Sequence, residues 1–218
     1  MITPTSTTIG DFTVTTVISG MPYYQNGYVV RHDPTGEQVV IDPGGKPSAF
    51  VDAVNGGGGT CLGVWLTHGH PDHIAGVRGV QAALGLGCLA HEGERPLIER
   101  ADEWSRALTG VPLKGPENCL YFGDDPALTL GGTPVRVLDC PGHTPGGVTY
   151  AFDGLAFTGD TLFNRGVGRT DFPGGNTQTL WDSIGRLVKD LPGETVLFSG
   201  HGPTWTVTEA QEWWRHMA

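Results

Sequence analysis

Between Trp65 and Gly76 the sequence reads WLTHGHPDHIAG, which places His68, His70, Asp72 and His73 directly after an apolar run, CLGVWLT. Imidazoles crowded this closely repel one another once protonated and need partners when buried. The cluster therefore calls for something that holds its members together. Three more candidates follow apolar runs in the same way: His143 in PGHTPGG, Asp160 in FTGD and His201 in SGHGP. Imidazole and carboxylate are the donors that suit zinc, iron or manganese. Seven such groups exceed the needs of one tetrahedral ion and fit two ions that share a carboxylate. His68 and His70 are two apart, so in extended backbone they project to one side. Asp72 and His73 fall where the chain turns into a helix and can face a second position.

These groups converge only if the elements carrying them end on the same edge. Alternating or apolar runs predict strands at DFTVTTVI, GYVVRH, EQVVIDPGG, CLGVWLT and LGCLAH, with turn chemistry in DPTGE. A short helix fits KPSAFVDAVN, with NGGGGT closing it, and a longer one fits PDHIAGVRGVQAALG with Pro in its first turn. EGERPLIERADEWSRALTG reads as polar and partly helical. The second half carries two strands around a Gly-Gly turn in ALTLGGTPVRVLDC and a hairpin closed by Asp-Gly in GVTYAFDGLAFTGD. The helix NTQTLWDSIGRLVKDL, the buried strand ETVLFSG and a last helix, TEAQEWWRHMA, follow. Two groups of strands interspersed with helices imply two packed sheets covered by helices, an α/β fold in one domain spanning residues 1–218.

Composition narrows the function classes. The chain has 218 residues, is 38% hydrophobic and 17% charged, and carries a formal charge of −10. A basic nucleic-acid-binding or anionic-membrane surface is not expected from that balance. No apolar run reaches the length of a membrane span, and the N-terminal residues lack the pattern of a secretory signal. Cys61, Cys88, Cys119 and Cys140 are far apart in sequence and read as buried single thiols of a reducing compartment, so a cytoplasmic location is expected.

THGHPDH resembles the THxHxDH signature of the metallo-β-lactamase-fold hydrolases, and His143, Asp160 and His201 follow in that superfamily's order. The resemblance implies a four-layer αββα sandwich. It implies one metal on His68, His70 and His143, another on Asp72, His73 and His201, and Asp160 bridging. VVIDPGG also matches, which implies a supporting place for Asp42 beside the site; an Asp before Pro-Gly-Gly equally serves to tie down a turn. Within the superfamily, GDTLFNRGVGRTDFPGGN is similar to small glyoxalase II-like proteins, the hydroxyacylglutathione hydrolase-like branch. Persulfide dioxygenases share a related RGxGRTDF segment.

The expected reaction is cleavage of a small-molecule thioester, such as an S-2-hydroxyacylglutathione, by a hydroxide bridging two divalent ions, with zinc the first expectation and iron or manganese alternatives. Asp72 is the expected holder of the nucleophile and acceptor of its proton. No second strong acid is visible to protonate a poor leaving group, which favours thiolate departure. Arg165 and Arg169 are candidate contacts for a substrate carboxylate, although Arg169 stands two residues from Asp171 and a structural pair explains it equally. Only Arg215 and His216 are basic near the end, so the thiol carrier stays open. The alternatives are a mononuclear-iron persulfide dioxygenase, which leaves the second metal position unused, and a lactonase or other esterase on the same site. A metal-stabilised binding protein is disfavoured, because a bridging acid among seven donors leaves room for solvent. Trp205, Trp213 and Trp214 are expected to pack the last helix onto the body.

Overall fold

A computed structural model describes residues 3–20 and 24–217; the expected domain span and terminal helix both include Ala218, which lies outside them. The first sheet runs in chain order through β1 (Thr5–Ile9), β2 (Phe12–Ile18), β3 (Asn26–His32), β4 (Glu37–Ile41), β5 (Thr60–Trp65), β6 (Cys88–His91) and β7 (Cys119–Phe122). Pairing is antiparallel from β1 to β4 and parallel from β4 to β7. The second sheet contains β8 (Leu128–Leu130), β9 (Thr133–Asp139), β10 (Val148–Phe152) and β11 (Leu155–Gly159) as an antiparallel meander. A small ribbon, β12 (Leu162–Phe163) with β13 (Gly166–Val167), precedes β14 (Val196–Ser199), which joins β11 in parallel, and β15 (Trp205–Thr206) closes the edge.

Side chains alternate across a strand, so each sheet offers two faces. Phe12, Val14, Tyr28, Val30, Val39 and Ile41 of the first sheet meet Tyr150, Phe152, Leu155, Phe157 and Phe198 of the second in the central core. Val17, Val29, Val40 and Val64 point the other way. They pack on α1 (Pro47–Gly57), α3 (Val77–Leu84) and α4 (Arg95–Glu99) through Phe50, Val54, Val77, Val80 and Ile98. The outer face of the second sheet receives α6 (Thr177–Asp190) and α7 (Val207–Trp214), whose Leu180, Ile184, Leu187, Val207 and Ala210 cover Ala151, Ala156 and Leu197. Helix, sheet, sheet and helix form the four layers expected.

Three departures have physical causes. The helix expected over 71–85 is broken into α2 (Pro71–Ile74) and α3. At the break the Gly76 N–H donates to the Pro43 carbonyl at 2.7 Å, and a Cβ at Gly76 would lie 2.6 Å from that oxygen. The turn carrying Asp72 and His73 is thereby fastened to the loop after β4. The polar segment after β6 forms α4 and α5 (Ala101–Thr109). The edge strands β1, β7 and β15 and the ribbon carry little strand signal in sequence: β1 is all Ser and Thr but for Ile9 and mostly exposed, and β15, β12 and β13 have two residues each. The three C-terminal tryptophans pack as expected, Trp205 against Trp213 and Trp214 against Trp181.

Candidate metal centre

Asp42, the His68–His73 turn, His143, Asp160 and His201 all follow the ends of strands β4, β5, β9, β11 and β14, so both sheets deliver their loops to one edge of the sandwich. Hydrogen bonds across the sandwich hold that edge closed. Val148 N–H donates to the Thr67 carbonyl at 3.0 Å, and Tyr150 Oη donates to the Leu66 carbonyl at 2.9 Å. Asn26 N–H and Nδ2 donate to the carbonyls of Gly200, Ser199 and Gly202, fixing the turn that carries His201.

The seven expected ligands fall into two sets. His68, His70 and His143 form one, and Asp72, His73, Asp160 and His201 the other, with the potential ligand atoms of each set within 4.8 Å of one another. Asp160 lies between them: its Oδ2 is 3.6 Å from His143 Nε2 in one set and 3.6 Å from His201 Nε2 in the other. His70 Nδ1 stands 2.8 Å from His143 Nε2. His73 Nε2 is 3.1 Å from Asp160 Oδ1, yet neither atom has a hydrogen-bond partner of proper geometry, and His68 Nε2 has none either. A buried polar atom left unpaired costs about 1–3 kcal/mol. Such atoms, one in the first set and two in the second, fit cations that would satisfy them, and the donor set is the one that suits zinc, iron or manganese.

The electrostatics agree with that fit. Burial, reinforced by the neighbouring imidazoles, holds His68 far below the ordinary histidine value. Burial and His143 bring His70 down to about 3, so both rings keep free lone pairs at neutral pH. Burial pushes the Asp72 and Asp160 carboxyls up, but His73 beside each overcomes it and leaves both below the ordinary range. Burial would lower His73 also, and Asp160, Asp72 and Asp42 instead raise it well above 6.5.

Orienting contacts stand behind the ligands, as metal-binding imidazoles require. Asp42, in a left-handed backbone conformation, accepts from the Thr67 N–H at 2.7 Å and the Thr67 hydroxyl at 2.5 Å, and contacts His73 Nδ1 at 2.8 Å. That directs His73 Nε2 inward. His143 Nδ1 is 2.6 Å from the Arg169 carbonyl, so its Nε2 also faces the cluster. Glu94, for which the sequence carries no motif, is fully buried. Its two carboxylate oxygens accept from Gly69 N–H and Gly146 N–H, each at 2.7 Å, and thereby join the His68–His73 turn to the loop of His143.

A cleft of about 440 Å³ opens onto the set, lined by His70, Asp72, His143, Asp160 and His201 and walled by Leu108, Thr109, Phe163, Val167, Arg169 and Phe172. Asp72 and His201 show 19% and 30% of their side chains to solvent where His73 shows none, so the second set is the open one. Arg169 stacks on Phe172 at 3.9 Å and forms two 2.6 Å hydrogen bonds to Asp171. Arg165, in a left-handed conformation, is not among the lining residues. His91 and His32 stand apart from both sets: His91 Nδ1 accepts from Gly93 N–H, and His32 contacts Thr35.

The metallo-beta-lactamase superfamily profile matches residues 20–201. The chain belongs to that superfamily. It is 34% identical over 195 residues to a probable metallo-hydrolase, YqgX, of Bacillus subtilis, covering 88% of this chain and 91% of that one. It is 30% identical over 197 residues to the hydroxyacylglutathione hydrolase GloC of Haemophilus influenzae, covering 88% and 92%. Among solved structures, the BLEG-1 B3 metallo-beta-lactamase superposes with a TM-score of 0.83 at 34% identity, covering 91% of this chain and 96% of that one. TTHA1623, crystallised in a di-iron-bound form, gives 0.78 at 35% identity, covering 90% and 96%. As a metallo-beta-lactamase superfamily protein this chain is a metal-dependent hydrolase, and its His and Asp cluster is of the kind that holds a dinuclear divalent metal site. No helix among the described residues is long and apolar enough to cross a membrane.

Proposed function

We propose that the chain, acting as one metallo-β-lactamase-like unit, hydrolyses a small-molecule thioester of the S-2-hydroxyacylglutathione type, in the cytoplasm and with two zinc ions. The observation that carries this reading is the make-up of the cleft wall among the described residues. Apart from the ligand sets, its lining offers Leu108, Thr109, Phe163, Val167, Arg169 and Phe172, and the Arg169 guanidinium, paired with Asp171, is held above its ordinary value. None of these readily gives up a proton near neutral pH. Beyond Asp72, once it holds the water's proton, the wall supplies no further acid, so the site suits a leaving group that departs readily as an anion, as a thiolate does and an unstrained amine does not. The 30% identity to GloC supports the same substrate class.

His68, His70 and His143 would hold one ion, Asp72, His73 and His201 the other, and Asp160 both. Divalent cations bound there would supply acidification of a water and Lewis-acid polarisation of a carbonyl oxygen. Asp72, ionised and open to the cleft, orients the attacking water and takes its proton. Asp42 and Glu94 keep the ligands in register while the charge on the site changes. Phe163, Val167 and Phe172 exclude water from the acyl group, and Arg169, paired with Asp171 through Nε and Nη2, offers its remaining N–H groups to a substrate carboxylate.

The similarity to BLEG-1 favours one second reading, opening of a β-lactam, whose ring strain lowers the demand on the leaving group. The test is anaerobic purification with metal counting, followed by parallel assays on an S-2-hydroxyacylglutathione, a lactone, a β-lactam and a persulfide with oxygen monitoring. Two metals per chain and preferred thioester turnover are expected. One iron per chain with persulfide-dependent oxygen uptake overturns the proposal, and preferred β-lactam turnover replaces it with the second reading.

A further inference from the structure

All four cysteines are free thiols, as expected, but Cys88 and Cys119 are in contact and Cys61 and Cys119 are only partly buried. Cys88 and Cys119 are register partners on the adjacent parallel strands β6 and β7, and their Sγ atoms are 3.2 Å apart. Paired residues of neighbouring strands present their side chains on one face. Adjacent strands lie about 4.8 Å apart, inside the ~4.4–6.8 Å window of Cα separations that a disulfide accepts. Closing the bond, about 2.05 Å long, thus requires the two sulfurs to approach by only ~1.2 Å. Cys61 and Cys140 have no such partner: Cys61 contacts the Gly63 carbonyl, and Cys140 is buried beside Thr149.

The two thiols differ in a way that assigns roles. Cys88 is buried in the core beneath the helices. Cys119 is partly exposed and lines a groove of about 860 Å³ with Arg78, Arg95, Lys114 and Tyr121. Arg95 lies over the Tyr121 ring at 4.0 Å, and Tyr121 shares the face of Cys119, being two residues on along β7. The contact with Cys88 and the nearby guanidinium lower the Cys119 thiol, while the Cys119 contact and burial raise that of Cys88. A reachable thiol in a groove lined by guanidinium groups, next to a buried one, is the arrangement of an attacking and a resolving cysteine.

We propose that Cys88 and Cys119 form a hydroperoxide-oxidisable dithiol that closes reversibly to a disulfide between β6 and β7. The Cys119 thiolate attacks one oxygen of the peroxide; the O–O bond breaks, and with a proton the leaving oxygen departs as water or alcohol. Cys119 is then a sulfenic acid. The Cys88 sulfur displaces its hydroxyl, the S–S bond forms, and the Cys88 proton leaves with that hydroxyl as water. Two thiols lose two electrons and the peroxide gains them.

The test treats the zinc-loaded full chain with one equivalent of hydrogen peroxide, then alkylates under denaturing conditions and maps peptides by mass. Expected is a Cys88–Cys119 cross-linked peptide, with Cys61 and Cys140 fully alkylated and the link removed by dithiothreitol. Recovery of both thiols unmodified after excess peroxide overturns the proposal, as does Cys119 advancing to a sulfinic acid while Cys88 stays alkylatable. Cys119→Ser, at a partly exposed edge position, keeps the test independent of the buried site. In it Cys88 should remain alkylatable, and oxidation of Cys88 at the wild-type rate would reverse the order of attack and refute the assignment.

Discussion

Replacing Glu94 by glutamine removes one oxygen from a residue that touches no expected ligand side chain. The wild-type carboxylate accepts Gly69 N–H with one oxygen and Gly146 N–H with the other, both at 2.7 Å and both out of water. Glutamine keeps one acceptor and must turn its NH2 toward the other amide, so one charge-assisted bond is lost and one buried N–H is stranded. The lost bond is worth ~1.5–3 kcal/mol and the stranded donor ~1–3, with overlap between them, so a net loss of ~2–4 kcal/mol is expected. For a chain of this size that lowers the Tm of the metal-free protein by ~4–16 °C. Because the two amides belong to the loops bearing His68, His70 and His143, metal affinity should fall ~10–100-fold. Thermal unfolding of metal-free protein and competition with a chromophoric chelator read the two effects separately. Glu92→Gln is the control, since Glu92 is exposed and pairs only with Arg95, and it should move Tm by no more than ~2 °C. Equal Tm and equal metal affinity for the two variants would refute the reasoning.

Three other perturbations follow from the same geometry. Asp72→Ala should lower thioester turnover by ~10²–10⁴ in kcat while the His68, His70 and His143 set still binds metal, as steady-state kinetics with metal analysis would show. Gly200→Ala places a Cβ against the Asp160 carboxylate and the His73 ring, so the variant should lose metal from the Asp72, His73 and His201 set before the other. In the metal-free protein, the raised His73 contributes stability that is complete below pH 6.5 and is lost as pH rises through its folded value. Metal-free Tm should therefore fall on the alkaline side. Since ligation needs the neutral ring, metal uptake at pH 7 should release about one proton from His73, measurable by calorimetry in buffers of different ionisation enthalpy.

The two clusters of candidate ligands were legible because each member lies where an apolar strand ends in Gly, Pro and a donor, a pattern local enough to read. The strands of the central core were legible for a related reason, the period of two that one buried face imposes. Glu94 was not, because its partners are backbone amides 25 and 52 residues away, and an amide leaves no mark on sequence. The same holds for Arg169, whose carbonyl rather than its guanidinium meets His143. β7 is four residues long with Leu120 largely exposed, so neither the strand nor the Cys88–Cys119 approach it creates has a sequence signature. Asp42 was ambiguous between turn and site, and it contacts both, Thr67 N–H on one side and His73 Nδ1 on the other.

The central claim is that two cations sit between these side chains with Asp160 shared. Crystals of zinc-loaded protein, with anomalous difference maps collected on both sides of the zinc edge, test it directly. The expected result is two peaks about 3.5–4 Å apart, one among His68, His70 and His143, the other among Asp72, His73 and His201, both in contact with the Asp160 carboxylate. A single peak, or a pair that leaves Asp160 uncoordinated, would contradict the account.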